Sequence, residues 1–133
     1  MANLTGGCFC GAVRYHSQLP VIDASYCHCR ICQHTCGAPV VAWVSVPAAG
    51  FSFTQGSPMA FESSAKGTRH FCSTCGTQLT FRHPNSAEVD ITSASLDNPA
   101  AISPEFHVWT SRQLPWLVMG DALPRHEADE SGS

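Results

Sequence analysis

Residues 27–36 read CHCRICQHTC, and this stretch holds four of the eight cysteines in a chain of 133 residues. Cys27, Cys29 and Cys32 lie close enough along the chain to bind one metal ion together. Three thiolates leave the fourth position of a tetrahedral zinc ion open for water or substrate, which is the arrangement of catalytic zinc. Two alternatives stay open. In one of them Cys36 closes the site as a fourth ligand, and in the other the cluster is metal-free or a redox centre.

The remaining cysteines lie in two turns on either side of this stretch, GGCFCG at 6–11 and FCSTCG at 71–76. A glycine, Gly11 or Gly76, directly follows the second cysteine of each turn. Glycine lets the backbone turn sharply and direct N–H groups at the sulfur atoms, which supports a metal-bound thiolate. Two turns with two thiolates each predict a closed, structural metal site that joins the start of the chain to its middle. Its ligands are Cys8, Cys10, Cys72 and Cys75.

The composition is that of a small globular domain, because 44% of the residues are apolar and only 13% are charged. The formal net charge of −3 disfavours a nucleic-acid binder, which would normally carry a basic excess. No apolar run approaches the roughly 18 residues of a membrane-spanning helix, so no membrane segment is expected. The first residues show no basic stretch followed by an apolar one, so we expect a cytoplasmic protein with reduced cysteines. A secreted protein is the alternative.

The hydrophobic pattern predicts short strands, because apolar residues mostly alternate with polar ones. The stretches concerned are 13–15, 39–46, 51–53, 79–81, 88–96 and 105–110. The best helical candidate is a single turn after Cys29, which Gly37 and Pro39 should end. We therefore expect an all-β domain of antiparallel strands stapled by zinc over residues 1–125, followed by a flexible tail at 126–133.

Four longer stretches resemble one known family. They are GGCFCGAVRY from residue 6, CHCRICQHTCGAP from residue 27, FESSAKGTRHFCSTCGTQL from residue 61 and SLDNPAAISPEFHVWTSRQLPW from residue 95. Together they are similar to the glutathione-dependent formaldehyde-activating family, which includes the centromere protein V domain. The similarity covers about residues 5–125, which is nearly the whole chain.

The resemblance implies a mostly β fold, related to that of a zinc-containing Rab exchange factor, and two zinc ions. It assigns the structural zinc to the two outer cysteine turns and the second zinc to the middle motif. By position these ligands are Cys8, Cys10, Cys72 and Cys75 for the first ion, and Cys27, Cys29 and Cys32 for the second. Cys36 departs from the family pattern, in which a small or hydroxyl residue is usual at this point.

Histidines and basic residues near the motifs have two interpretations each. His28 lies between two expected ligands, and we interpret it as a non-ligand histidine, with proton transfer as the alternative. His107 is expected in the core. Five basic residues are candidates to pair with substrate carboxylates, although each is more often a solvated surface charge. They are Arg14, Arg30, Lys66, Arg69 and Arg112.

These observations lead to the hypothesis of an enzyme whose second zinc centre takes up a small thiol such as glutathione. The bound thiolate would attack a small aldehyde such as formaldehyde to give an S-hydroxymethyl adduct, and the reverse reaction is that of a carbon–sulfur lyase. The second zinc should be the more easily lost, because one short segment supplies its ligands. Two alternatives are a non-catalytic zinc module that binds a thiol metabolite or a protein partner, and a redox sensor built on Cys32 and Cys36.

Overall fold

The computed structural model describes residues 3–129, and within this range the chain forms ten strands and one α-helix. The strands are β1 (Leu4–Gly7), β2 (Arg14–Ser17), β3 (Asp23–Cys27), β4 (Val41–Pro47), β5 (Phe51–Gln55), β6 (Met59–Ser64), β7 (Gly67–Phe71), β8 (Gln78–Arg82), β9 (Glu88–Thr92) and β10 (Phe106–Val108). The helix is α1 (Arg30–Cys36). The predicted all-β class is confirmed. No helix in the described range is long and apolar enough to cross a membrane.

The strands form two sheets. The smaller one has three strands in the order β1-β2-β5, and the larger one has seven in the order β10-β3-β4-β9-β8-β7-β6. Neighbouring strands pair antiparallel, as expected, except that β10 runs parallel to β3. The parallel pair was not predicted, because short strands far apart in sequence give no local signal of their relative direction.

The strands predicted from alternation are present with shifted ends. The run at 39–46 becomes β4, which begins at Val41, and the stretch at 88–96 becomes β9 followed by a 3₁₀ turn at Ser93–Ser95. The helical turn after Cys29 is α1, and it ends at Cys36 because Gly37 adopts a left-handed conformation with φ of 62°. The sequence analysis missed β1, β3, β6 and β7, whose residues alternate weakly.

The core lies between the two sheets. Tyr15 from the small sheet packs with Val44, Val46, Leu79 and Ile91 from the large sheet, and all five side chains are buried. Burial of such side chains stabilises a fold by about 1.5–3 kcal/mol each. A smaller apolar cluster surrounds the cysteine motif that follows β3, and the buried residues in it are Cys27, Cys32, Val41, Trp43 and Val108.

The chain after β10 returns to that strand. The backbone N–H of His126 donates to the carbonyl of His107 at 2.9 Å, and the N–H of Trp109 donates to the carbonyl of Ala128 at 2.7 Å. Residues 126–128, which the sequence analysis assigned to a flexible tail, are thus hydrogen-bonded to the large sheet, while 130–133 lie outside the described residues. The domain end at residue 125 stays a prediction.

A partly buried carboxyl on β9, that of Asp90, should make the stability of the domain fall as the pH rises. Ser45 on β4 donates a hydrogen bond of 2.6 Å to Asp90, but burial dominates and raises the pKa of Asp90 to about 6. A raised pKa means that the folded state holds this proton more tightly than the unfolded state. The stability that the protonated carboxyl contributes is therefore lost as the pH rises from about 4 to about 6.

We expect the Asp90→Asn variant to be more stable than the wild type by up to about 3 kcal/mol at pH 8, because its amide never ionises. At pH 4 the two proteins should be equally stable, because Asp90 is then protonated. Urea unfolding at both pH values measures the difference. The control is Glu105→Gln, which changes an exposed carboxylate and should add no such pH dependence. A gain for Asp90→Asn that is the same at both pH values would contradict the prediction.

Candidate metal centres

The first cysteine cluster joins the two sheets. Cys8 and Cys10 lie between β1 and β2 of the small sheet, and Cys72 and Cys75 lie between β7 and β8 of the large sheet. All four sulfur atoms are within 4.8 Å of one another. The Sγ of Cys10 is 3.6 Å from that of Cys8 and 3.7 Å from that of Cys72. Four thiolates around zinc, with bonds of about 2.3 Å, are separated by about 3.8 Å, so the arrangement suits a tetrahedral ion.

The backbone of both turns directs N–H groups at these sulfur atoms, as the glycines predicted. Gly11 and Gly76 have φ values of 82° and 83°, in the left-handed region that favours glycine. The N–H of Val13 donates to the Sγ of Cys8 at 3.2 Å, and the N–H of Cys75 donates to the Sγ of Cys72 at 3.4 Å. These donors stabilise thiolates before any ion binds, which is the usual outer support of a metal site.

The second cluster is built at the start of α1. Cys27 ends β3, Cys29 caps the N-terminus of the helix and Cys32 lies in its first turn, and their sulfur atoms lie within 4.8 Å of one another. The N–H of Cys32 donates to the Sγ of Cys29 at 3.2 Å. Hydrogen bonds from Cys27 and Cys32, this N–H and the charge of Arg69 lower the pKa of Cys29 to about 3. These contacts favour the thiolate form of Cys29, which is the form that binds a metal ion.

Cys36 does not belong to this group of three sulfur atoms. Its sulfur lies 3.9 Å from the hydroxyl of Thr35, and burial raises the pKa of the Cys36 thiol. Because α1 ends at Cys36, the chain turns away toward β4 at this point. The side chain lines a cavity beside the centre instead.

A buried arginine lies against the second cluster. Arg69 on β7 is only 3% exposed, and its Nη2 donates to the Sγ of Cys32 at 3.5 Å while its Nε donates to Ser63 at 2.9 Å. Its guanidinium also lies over the ring of Phe81, 4.7 Å from the centroid. The positive charge of Arg69 therefore lies against a sulfur atom of the second cluster. From the sequence Arg69 is interpreted as a packed or solvated residue, with a substrate contact as the alternative, and the sequence carries no sign of its contact with Cys32.

A chain of buried histidines extends from the second cluster to the C-terminal segment. His28 is 0% exposed, and its Nε2 lies 2.9 Å from the Nδ1 of His107, whose Nε2 lies 3.0 Å from both carboxylate oxygens of Asp121. Hydrogen-bonding to Asp121 places a proton on the Nε2 of His107. When His107 is neutral, its Nδ1 accepts a hydrogen bond from the N–H at the Nε2 of His28. The Nδ1 of His28 is then an acceptor, and it has no partner among the described residues. Asp121 was not singled out from the sequence.

Two neighbouring cavities lie beside the clusters. The larger, of about 600 Å³, is lined by Cys8 and Cys75 of the first cluster and by Thr35 and Cys36 at the end of α1. The smaller, of about 250 Å³, is lined by Arg69 and two phenylalanines. Thr35 and Gln78 line both. The larger cavity therefore lies between the first cluster and the end of α1, and none of Cys27, Cys29 and Cys32 lines either cavity.

Fold and site together define a class of protein: a small β domain with one four-thiol centre and one three-thiol centre, both of which could hold a metal such as zinc. Comparison with known families then identifies the chain. The sequence model of the family "glutathione-dependent formaldehyde-activating enzyme" matches residues 3–112, so the chain belongs to this family. The resemblance noted from the motifs is confirmed.

A crystal structure of a Rhodobacter sphaeroides protein, solved in a structural genomics programme, has a similar fold. Its TM-score is 0.56 at 24% sequence identity, and the match covers 75% of this chain and 91% of that one. This likeness supports the fold alone. No curated protein sequence matches the chain.

Proposed function

We propose that this protein is a zinc enzyme that joins a small thiol to a small aldehyde, with Cys27, Cys29 and Cys32 as protein ligands of the reactive centre. The observation that carries the proposal is the grouping of three sulfur atoms without Cys36. Glutathione and formaldehyde, which the family's name gives, are the first substrates to test. Cys8, Cys10, Cys72 and Cys75 would hold a second zinc with a structural role.

Zinc in the three-thiolate centre would lower the pKa of an incoming thiol and hold its sulfur as a nucleophile. The thiol sulfur would form a bond to the carbonyl carbon as the π electrons of the carbonyl move to its oxygen. That oxygen would take up the proton that the thiol released, so the product would be an S-hydroxymethyl adduct, a hemithioacetal. The reverse reaction breaks the carbon–sulfur bond, as a carbon–sulfur lyase does.

The surroundings of the centre support this chemistry. Three thiolates on a dication leave a net charge of −1, and the guanidinium of Arg69, 3.5 Å from Cys32, balances it. Arg69, which contacts Cys32, also lines the smaller cavity, and this cavity offers about 250 Å³ of space next to that side chain. Gln33 on α1 donates hydrogen bonds to the carbonyls of His28 and Arg112, which hold the cysteine motif against the C-terminal segment.

The sulfur count at zinc tests whether the centre is open. We expect X-ray absorption of the zinc-loaded wild type to give about 3.5 sulfur ligands per zinc, the mean of a four-thiolate and a three-thiolate site. The Cys36→Ala variant should give the same number, because Cys36 lies outside the group. In exchange NMR with ¹³C-formaldehyde and glutathione, both proteins should form the adduct faster than the protein-free solution.

Two results would contradict the proposal. A count near 4 that falls toward 3.5 in Cys36→Ala, with weaker zinc binding, would show a closed site and favour the non-catalytic module. An adduct rate equal to that of the protein-free solution, with both zinc ions present, would exclude catalysis of this reaction.

A further inference from the structure

The guanidinium of Arg69 has one nitrogen without a partner. Its Nε donates to Ser63 and its Nη2 donates to the Sγ of Cys32, but its Nη1 is buried and forms no hydrogen bond within residues 3–129. The ring of Phe81, 4.7 Å from the guanidinium carbon, attracts the positive charge but is a weak hydrogen-bond acceptor. A buried donor without an acceptor costs free energy, so this nitrogen points to a ligand that supplies the acceptor.

The unpartnered nitrogen lies close to the second cluster. Two nitrogen atoms bonded to one planar carbon are about 2.3 Å apart, and the Nη2 is 3.5 Å from the Sγ of Cys32, so the Nη1 lies within about 6 Å of that sulfur. Arg69 also lines the smaller cavity, of about 250 Å³, together with Thr35 of α1 and Phe61 of β6. The side chain therefore borders both the cluster and an open space.

The wall of this cavity can open next to Arg69. Phe61 is paired with Arg69 across β6 and β7, so both side chains lie on the same face of the large sheet. Phe61 is 60% exposed, and β6 is an edge strand. An exposed side chain changes its rotamer rapidly and at little cost. A rotation of the Phe61 ring therefore enlarges the space beside the guanidinium and leaves the contacts of Arg69 with Ser63 and Cys32 in place.

The acceptor that suits a guanidinium best is an anionic oxygen atom. In the proposed reaction, negative charge develops on the aldehyde oxygen, which is two bonds from the attacking sulfur. The carboxylates of glutathione are several bonds farther from its sulfur. Because the Nη1 of Arg69 lies so near Cys32, its position favours the oxygen that is close to the reacting sulfur.

We propose that Arg69 is a catalytic residue, whose Nη1 donates a hydrogen bond to the aldehyde oxygen as a thiolate at the second centre attacks the carbonyl carbon. This inference rests on the proposed function and deepens it. The sulfur–carbon bond forms, the π electrons move to the oxygen, and that oxygen finally takes up the proton that the thiol released. Arg69 keeps its own proton, because a guanidinium is not deprotonated in proteins. It stabilises the charge from a position that is fixed before the reaction.

The first test compares two thiols that differ in charge. The carboxylate of mercaptoacetate lies one bond farther from the sulfur than the charged oxygen of the reaction, and mercaptoacetamide has the same shape without the charge. Each is titrated into the zinc-loaded wild type without aldehyde, and its dissociation constant is obtained from NMR shifts and expressed per thiolate. We expect mercaptoacetate to bind about tenfold more tightly, because of its charge-assisted hydrogen bond. Equal or weaker binding of mercaptoacetate would overturn the inference.

The Arg69→Gln variant shows whether this residue is the donor. It should lose the preference for mercaptoacetate. The control is Arg82→Gln, which removes the same charge from an exposed residue that lines neither cavity, and it should keep the preference. Zinc content and amide spectra show whether both variants are folded and loaded. A preference that persists in Arg69→Gln would contradict the proposal, because another group would then hold the carboxylate.

A measurement on the wild type decides the question if Arg69→Gln does not fold. In protein labelled with ¹⁵N in arginine, the guanidinium protons of Arg69 should exchange slowly with solvent, because this side chain is only 3% exposed. Their signals should shift farther on binding of mercaptoacetate than on binding of mercaptoacetamide. Equal shifts with the two thiols would refute the assigned contact.

The rate of adduct formation distinguishes the aldehyde oxygen from a carboxylate of the thiol. N-acetylcysteamine carries no carboxylate, and glutathione carries two. Arg69→Gln should slow the protein-dependent reaction of both thiols with ¹³C-formaldehyde by a similar factor, about a hundredfold. A loss confined to glutathione would overturn the inference, because Arg69 would then bind the carboxylate of the thiol.

The outcomes separate this inference from the proposed function. Adduct formation without a preference for mercaptoacetate would refute the inference and leave the function standing. A preference that depends on Arg69, without any adduct formation, would exclude the proposed function and leave Arg69 as a donor to an anionic oxygen. If none of these thiols binds, both are wrong.

Discussion

The Cys75→Ser variant is expected to lose one equivalent of zinc and to unfold near room temperature. Cys75 is one of the four grouped cysteines at the junction of the small and large sheets, in turns separated by 62 residues between Cys10 and Cys72. Binding of a structural zinc contributes about 10 kcal/mol or more, which is comparable to the whole free energy of unfolding of a small domain. Metal analysis and thermal unfolding followed by circular dichroism provide the measurement.

The matched control is Cys36→Ser, the same substitution at a cysteine outside both groups. It should retain two zinc ions and melt within a few degrees of the wild type, because only a partly buried thiol is changed. If Cys75→Ser kept both ions and the melting temperature of the wild type, the first centre would not be the structural one.

The Cys29→Ser variant should keep the fold and lose the second zinc together with adduct formation. The three cysteines predicted to bind the second zinc come from one short segment. Loss of the second zinc should therefore leave the junction of the two sheets intact. Serine also replaces cysteine well as the helix cap, because its hydroxyl can accept the N–H bond that Cys29 now receives from Cys32. The variant therefore removes the metal ligand and preserves the start of α1.

Metal analysis should give one zinc per chain, and the exchange rate with ¹³C-formaldehyde should fall to that of the protein-free solution. Amide NMR shifts should change mainly in residues 26–37 and around Arg69, which contacts Cys32 of the same centre. If Cys29→Ser unfolds as completely as Cys75→Ser, the division into a structural and a reactive centre is wrong.

The cysteine groups could be predicted from the sequence because they depend on local spacing. Cys-x-Cys and Cys-x-x-Cys turns with following glycines bring two sulfur atoms close together through local backbone geometry, independently of the rest of the fold. The helix at Arg30–Cys36 and its end at Gly37 follow from equally local signals. Their role as zinc ligands stays a prediction that the two cysteine variants test.

The side chains that surround the second centre could not be predicted in this way. Arg69 reaches Cys32 across 37 residues of sequence, and His28 meets His107 across 79. These contacts depend on the positions of β7 and β10 in the large sheet. No local sequence pattern predicts the order of strands in a sheet. A buried arginine and a surface arginine look alike in a sequence.

The long separation of the two turns of the first centre also sets the order in which the centres can form during synthesis. A growing chain has all three cysteines of the second centre once Cys32 has been added, whereas the first centre lacks two of its four cysteines until Cys72 and Cys75 follow. If both centres hold zinc, the second centre can therefore be filled before the first, which is complete only when the two sheets come together.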